Sequence, residues 1–321
     1  MEETDGSILM KKIVHLKAPG TLNIGNEFIN IGAKYVIQRI LRDLGISVYQ
    51  LYEIEFWQTA LPIGRKQTIN WNTPETIEWL NVVDMIFVSG GSILNAYMKN
   101  ILDSINALKP PKIMLGVGTY HYNEEERTLA GKVFSNYSLV WCRDKETYEA
   151  MRTTKKLNAL DMAFFLKDSY LPPLARGEYG VVNMDVTWRN KMRIGKKRKE
   201  LEKRFPNVYL TENTSTLHTE KDFVFLGSWT EFCNMYANAA FVSTTRIHTA
   251  IACTIFKTPF EYMRKDSGKT AQRNKLFENV GMDVSYGSVF SKEQLEDMQD
   301  AIKRRKEATI QEVVDIVKDL K

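Results

Sequence analysis

The sequence contains only three cysteines and four histidines in 321 residues. The cysteines, Cys142, Cys233 and Cys253, lie far apart and form neither a disulfide framework nor the short paired spacing of a metal site. Buried free thiols in a reducing compartment are therefore expected. No two histidines have the spacing of metal ligands, so we expect no metal site.

The sequence also lacks an apolar run long enough to span a bilayer, and no signal peptide opens it. We therefore expect a cytoplasmic protein. The mostly polar residues 1–9 are expected to be an extension that is not part of the fold. A net charge of +5 is too small to indicate nucleic-acid binding. The basic run at residues 189–204 is either a solvated helix face or a contact for anionic lipid at the inner face of a membrane.

The 321 residues are enough for two domains of ordinary size, and a hydrophobic content of 44% is normal for a globular protein with a substantial core. Strand and helix patterns alternate over residues 12–152, which predicts an α/β fold with a mostly parallel, doubly wound sheet. A second α/β set begins at residue 179, after a stretch rich in proline and glycine. We predict an N-terminal domain at residues 10–175, a C-terminal domain at 176–265, and a helical extension at 266–321 that braces both.

The most informative segment is residues 239–260, where a short apolar run leads into a helix that is apolar nearly all round. The turn between them holds Arg246 and His248. Open α/β sheets bind ligands where strands end, and a helix start attracts anions. Arginine adds hydrogen-bond donors and histidine a proton that moves near neutral pH. The alternative is an arginine paired with a structural carboxylate and a satisfied core histidine.

Glycine or polar residues also follow the predicted strands of the first half, which places them on one edge of one sheet. Asn26 is expected to cap the helix at residues 27–44, and a further helix is expected to begin near Ile93. The glycine pair after the strand at residues 84–89 could serve close packing alone. The residues that follow strands are Asn23, Gly25, Asn26, Gly90, Gly91, Ser92, Gly118 and Arg143.

Six short segments occur in a characteristic order over residues 10–263. They are Asn23-Ile-Gly25-Asn26, Gly90-Gly-Ser-Ile93, Gly116-Val-Gly118, Arg143-Asp144, Asp161-Met-Ala-Phe164 and Thr245-Arg-Ile-His248. In this order and spacing they resemble the polysaccharide pyruvyl transferase family. The Arg-Ile-His element is the most specific of these segments, and the glycine pairs are the least specific.

The resemblance implies two Rossmann-like domains that face a cleft, as in the GT-B glycosyltransferases. It implies transfer of a pyruvyl group from phosphoenolpyruvate to hydroxyls of a sugar in a surface polysaccharide or its lipid-linked precursor, which forms a ketal. Phosphoenolpyruvate would be the co-substrate, with no other cofactor. Arg246 and His248 would bind or activate the donor, and Arg143 would assist. The residues expected to bind substrate are Asn23, Gly25, Asn26, Gly90, Gly91, Ser92, Gly118, Asp161, Thr245, Ile247, Asp266 and Lys269.

Two positions depart from the family pattern: Asn26 stands where an Asp is usual, and Ser92 replaces a third glycine. Asp161 and Asp144 are candidate proton carriers, or else buried carboxylates that cap a loop or pair with an arginine. One alternative function is a glycosyltransferase that uses a nucleotide sugar, with Glu261 as the candidate ribose carboxylate. The other is a non-catalytic glycan-binding relative. The oligomeric state is not predicted.

Overall fold

The computed structural model describes residues 10–19, 23–56, 73–95, 98–119, 121, 123–153, 155–184, 188–213, 223–224, 226–264 and 273–320. Within these residues the chain forms two sheets, one in each half, flanked by helices. This is the predicted α/β architecture with mostly parallel strands.

The first sheet consists, in the described residues, of six parallel strands. They are β1 (Lys11–Lys17), β2 (Tyr49–Glu55), β3 (Met85–Ser89), β4 (Lys112–Val117), β5 (Leu139–Cys142) and β6 (Lys156–Asn158). Their spatial order is β2-β1-β3-β4-β5-β6. The order reverses between β1 and β3, and such a switch point is where open α/β sheets bind ligands. The segments after β1 and β3 lie there.

Six helices are described in the first half, along with the 3₁₀ helix Met162–Phe165. They are α1 (Ile24–Asp43), α2 (Pro74–Leu80), α3 (Lys99–Asn106), α4 (Glu124–Val133), α5 (Lys145–Ala150) and α6 (Leu166–Ser169). The prediction that Asn26 caps α1 is wrong. Asn23 is the cap, since its Oδ1 accepts a hydrogen bond from the backbone of Gly25 at 3.0 Å. Asn26 lies in the first turn and donates to the carbonyl of Pro19.

The prediction of a helix from about Ile93 is also wrong, because α3 begins only at Lys99. The backbone after β3 is held in turns and in an isolated bridge instead. Ile93 N–H donates to the carbonyl of Gly91, and Leu94 N–H donates to the carbonyl of Gly118. The N–H groups of Ile93 and Leu94 are therefore hydrogen-bonded within a loop that approaches the end of β4. The glycine pair precedes this loop and does not begin a helix.

The second sheet contains, among the described residues, β7 (Tyr179–Asn183), β8 (Asn207–Thr211), β9 (Phe241–Thr244), β10 (Phe260–Tyr262) and β11 (Val289–Phe290). Their order is β11-β10-β9-β7-β8, and only the β10–β11 pair is antiparallel. The helices of this half are α7 (Trp188–Leu201), α8 (Trp229–Asn238) and α9 (Ile247–Phe256). The sequence pattern also predicts a strand at residues 222–226, where the described part shows one isolated bridge between Phe223 and Leu210.

The C-terminal segment returns to the first half and braces both. It forms the 3₁₀ helix Arg273–Val280, then α10 (Lys292–Asp297) and α11 (Gln299–Val317). Glu307 of α11 pairs with Arg39 of α1 at 2.9 Å. Because β11 belongs to the second sheet, the predicted extension at 266–321 is not purely helical. The domain boundaries themselves stay predictions.

One apolar cluster runs through both halves, from α1 and the first sheet to α9, β10 and α11. Cys142, Cys233 and Cys253 are buried free thiols. In the part of the chain that the structure describes, no helix is both long and apolar enough to cross a bilayer.

Candidate functional site

The turn between β9 and α9 places Arg246 and His248 at the carboxyl edge of the second sheet. The Arg246 N–H donates to Oγ1 of Thr244 at 2.9 Å, which directs the chain from the strand into the helix. Arg246 is the N-terminal flanking residue of α9, and the first turn of this helix holds no acidic residue. No residue of this turn therefore offsets the partial positive charge of the helix start.

A network of hydrogen bonds between buried side chains holds this turn in place. Oδ1 of Asn183, at the end of β7, accepts hydrogen bonds from Oγ1 of Thr244 at 3.0 Å and of Thr249 at 2.9 Å. Nδ2 of Asn183 donates to Oδ1 of Asn213 at 2.8 Å, and the Tyr236 hydroxyl donates to the same oxygen at 2.9 Å. A satisfied buried network of this kind gives the turn one defined geometry. This network was not predicted from the sequence, although an asparagine at the end of an apolar strand could have indicated it.

The two halves meet where α1 and α9 both begin. The backbone N–H of Ile24 donates to the carbonyl of Asn213 at 2.9 Å, which joins the start of α1 to the second half. A Cβ atom built on Gly25 would overlap Nδ1 of His248. Glycine is therefore required at this position because the imidazole packs directly against the α1 backbone.

Arg143 lies in a slot in the first half, with 2% of its surface exposed. Its Nη1 donates to Oδ2 of Asp161 at 2.9 Å, and its Nη2 donates to Oγ of Ser92 at 2.6 Å. A Cβ at Gly91 would lie 2.7 Å from Nη1, and one at Gly118 would overlap Nε. These two glycines give room for the guanidinium. Ser92, which departs from the family pattern, takes part in holding it.

Asp161 connects the two charged groups of the site. Its Oδ2 lies 3.8 Å from Nε2 of His248, and its Oδ1 accepts from the backbone of Ala163. Burial raises the pKa of the Asp161 carboxyl, but the contact with His248 and the positive charge of Arg143 outweigh it and hold the pKa at about 2. Asp161 is therefore an anion at neutral pH, a state in which it orients its two partners but has no proton to donate.

Asp144, the other candidate proton carrier, is fully buried and caps α5 through a 2.7 Å hydrogen bond from the backbone of Thr147 to its Oδ1. Glu261 pairs with Lys197 at 2.8 Å and does not line the site cavity. Its assignment as a ribose ligand in the nucleotide-sugar alternative therefore has no support from its position.

A cavity of about 210 Å³ opens between the halves. Arg143 and Ser92 reach it from the first half, and Arg246 and His248 reach it from the second. The described residues that line it include no Asp or Glu, and they are Asn23, Asn26, Ile29, Gly91, Ser92, Ile93, Arg143, Asn213, Arg246, Ile247, His248 and Arg264. The cavity is therefore strongly cationic and suited to a small anion.

Arg264 and Asn213 line the cavity but were not predicted as site residues. Arg264 stands at the carboxyl edge, just past β10, and this position is the signal that would have identified it.

Five described residues that were predicted to bind substrate lie outside the cavity lining: Asp161, which holds Arg143, and four others. Gly25 packs against His248, Gly118 against Arg143 and Gly90 against Ile93, while Thr245 is buried with its N–H donating to Asn183. Asp266 and Lys269 lie outside the described residues.

Comparisons with solved structures show similarity over nearly the whole chain. A putative UDP-N-acetylglucosamine 2-epimerase from Listeria monocytogenes superposes with a TM-score of 0.56 and 11% identity, over 96% of this chain and 91% of that one. MnaA of S. aureus, solved with UDP, gives a TM-score of 0.55 and 12% identity, over 92% and 91%. The UDP-GlcNAc 2-epimerase of Neisseria meningitidis gives 0.51 and 11%, over 94% and 93%. At such identities the likeness concerns the fold, which is GT-B-like.

A comparison with curated proteins finds no match. The profile described as "Polysaccharide pyruvyl transferase" matches residues 23–261, from the cap of α1 to the middle of β10. This span is well over half of the chain, and it includes the slot of Arg143 and the turn that carries Arg246 and His248. The chain belongs to the polysaccharide pyruvyl transferase family.

Proposed function

We propose that the protein transfers a pyruvyl group from phosphoenolpyruvate to hydroxyls of a sugar in a surface polysaccharide or its precursor, and that the product is a cyclic ketal. The observation that carries this proposal is the cavity of about 210 Å³, to which both halves contribute arginines beside His248. Phosphoenolpyruvate is a small molecule with a phosphate and a carboxylate. Arginines from both halves, and a helix start whose first turn holds no acidic residue, match these two anionic groups.

The cavity between the described residues, about 210 Å³, has room for a small donor such as phosphoenolpyruvate. A neutral glycan would not use the positive charge that Arg143, Arg246 and Arg264 bring to the cavity lining, which also argues against a non-catalytic glycan-binding role.

Arg143 and Arg246 would interact with the donor in different ways. Arg143 is held by Asp161 and Ser92, so its guanidinium would present a fixed positive charge to phosphoenolpyruvate. Arg246 stands at the start of α9 and would bind the phosphate together with the first backbone N–H groups of the helix. Positive charge on both sides of the phosphate stabilises the charge that it gains as the C–O bond breaks.

His248 would move the protons. The reaction adds a proton to the methylene carbon of phosphoenolpyruvate and leaves an oxocarbenium-like centre at the neighbouring carbon. One sugar hydroxyl attacks that carbon and loses its proton; phosphate then departs with its bonding electrons, and a second hydroxyl closes the ring and loses its proton. The anionic Asp161 lies 3.8 Å from Nε2 and would balance positive charge on the imidazole during proton transfer.

A thermal-shift experiment tests the donor directly. Phosphoenolpyruvate at a hundred times its Kd should stabilise the protein by about 2.7 kcal/mol, and UDP-N-acetylglucosamine and a neutral glycan should not stabilise it alone. Arg246→Lys should weaken the effect because the planar fork is lost, while Arg198→Lys on the exposed face of α7 serves as the matched control. Stabilisation by the nucleotide sugar but not by phosphoenolpyruvate would refute the proposal.

Turnover is then measured by incubating the protein with phosphoenolpyruvate and a panel of pNP-glycosides, following phosphate release and product mass. A product that carries the ketal supports the proposal. Glycosyl transfer from a nucleotide sugar in the same panel would support the alternative.

A further inference from the structure

A second cavity, of about 560 Å³, lies at the opposite edge of the second sheet from the donor site. It forms where α8 and α9 end and where residues 171–177 lead into β7. Parallel strands begin at this edge, whereas the turn with Arg246 and His248 stands where β9 ends. A ligand in the second cavity would therefore leave the donor site open.

The second cavity is rich in positive charge. Lys167, Arg176, Lys257 and Lys292 line it, and Glu296 is the one acidic residue among its described lining. Glu296 lies 3.5 Å from Lys292 and 4.0 Å from Lys257. Neither Lys167 nor Arg176 has an acidic partner within the described part of the chain. Four basic side chains against one carboxylate give the described lining a net positive charge, which suits an anionic ligand.

The electrostatic environment of Lys167 supports the same reading. Burial lowers the pKa of the Lys167 ammonium, and the charges of Lys257 and Lys306 lower it further, against the opposing effect of Asp168. Asp168 already pairs with Lys306 at 2.6 Å. An anion in the cavity would offset the mutual repulsion of these lysines.

Two exposed leucines stand beside these charges. Leu171 is 73% exposed and Leu174 is 75% exposed, and both line the cavity. The prolines between them favour a polyproline II backbone, in which residues three apart share a face. Exposed apolar side chains next to unpaired cations are the combination that inserts into a membrane interface and attracts anionic headgroups.

We propose that the rim formed by Lys167, Leu171, Leu174, Arg176 and Lys257 docks the protein onto an anionic lipid surface. Phosphate headgroups occupy the cavity, and the leucines enter the boundary between headgroups and acyl chains. This docking is independent of the donor that the enzyme uses.

Co-sedimentation with lipid vesicles tests the proposal. The full-length protein should bind vesicles of phosphatidylcholine mixed with phosphatidylglycerol, and binding should weaken as salt rises. Vesicles of phosphatidylcholine alone should bind far less protein. Equal binding to both kinds of vesicle, or no binding to the anionic ones, would overturn the proposal.

Paired variants locate the surface. Arg176→Glu with Lys257→Glu should weaken binding roughly 30-fold or more, from about 1 kcal/mol for each basic residue near the lipid. Leu171→Ser with Leu174→Ser should weaken it roughly tenfold or more by removing apolar insertion. Lys196→Glu with Lys199→Glu changes the net charge equally on the exposed face of α7, away from the cavity lining, and should have a much smaller effect.

An equal or larger loss in the α7 variant would show that membrane binding occurs through the basic run instead, and would refute docking at the cavity. Circular-dichroism melting of each variant identifies any loss of vesicle binding that comes from unfolding.

A competition experiment with inorganic phosphate distinguishes a lipid headgroup from free phosphate. If phosphate displaces the protein from vesicles at low concentration while sulfate at equal ionic strength does not, the cavity is a site for free phosphate and the lipid proposal is wrong.

Discussion

Replacing Gly25 by alanine tests whether the imidazole of His248 must pack against the start of α1. In an ordinary helix this change stabilises by roughly 0.5–1 kcal/mol, because glycine loses more backbone entropy than alanine on folding. At Gly25 the new Cβ would overlap Nδ1 of His248 and lie 3.1 Å from Oδ1 of Asn23. Overpacking of this kind costs about 1–3 kcal/mol, so we expect a net destabilisation of up to about 2 kcal/mol.

The larger effect should be on catalysis. To relieve the overlap the imidazole must shift, which changes its distance from the carboxylate of Asp161 and from the cavity. A displacement of about 1 Å in a catalytic group can cost roughly a hundredfold in rate. Steady-state kinetics should show the loss mainly in kcat, while the KM for phosphoenolpyruvate changes less because the arginines are untouched.

Gly195→Ala is the matched control, since Gly195 lies in a helix and no atom is within 4 Å of a Cβ built there. It should raise the free energy of unfolding by roughly 0.5–1 kcal/mol and leave kcat unchanged. If Gly25→Ala behaved like Gly195→Ala in both assays, the imidazole would not be held against α1 and the geometric argument would fail.

Three further predictions concern the charged groups of the site. His248→Ala should reduce turnover roughly a hundred- to ten-thousandfold with a melting temperature near wild type, and wild-type turnover would exclude His248 as the proton carrier. Arg246→Lys should raise the KM for phosphoenolpyruvate, and an unchanged KM would place the phosphate elsewhere. The pKa of Asp161 is held at about 2 in the folded protein, below its usual 3.8. The ionised carboxylate therefore contributes about 2 kcal/mol to the free energy of unfolding, and this contribution is present above pH 4 and is lost as pH falls toward 2. Urea unfolding at several pH values should therefore show a shallower acid dependence in Asp161→Asn, and an equal dependence would contradict the assigned pKa.

The sequence alone predicted the elements whose residues show strong local patterns. The apolar pattern of residues 247–256 predicts a helix, and α9 spans Ile247–Phe256. The spacing of Ser228 and Glu231 predicts a capping box, and this box begins α8. The sequence pattern predicts a second strand at residues 46–51, after the glycine that ends the first helix pattern, whereas β2 spans Tyr49–Glu55. Its pairing with β1 determines these bounds, and that register depends on a neighbouring strand.

The errors at Asn26 and Ile93 have a similar cause. Asn23 and Asn26 are equally good caps by composition. The side-chain amide of Asn26 donates to the carbonyl of Pro19, whereas Oδ1 of Asn23 accepts from the backbone of Gly25 and caps the helix. The backbone after Gly91 joins the end of β4 at Gly118 instead of forming a helix. Such long-range hydrogen bonds leave no trace in local periodicity.

The sequence also placed most candidate site residues after strands, so their edge of the sheet could be predicted from connectivity alone. Only the tertiary structure decided which of them meet. Asp161 lies between Arg143 and His248, and Gly25 packs against the imidazole, because the two halves are pressed together through α1 and α9. Arg264 was missed because one basic residue after a short strand is unremarkable in sequence and gains significance only from the cavity it lines. Local patterns specify strands and helices, whereas the approach of side chains from separate halves depends on how those elements pack.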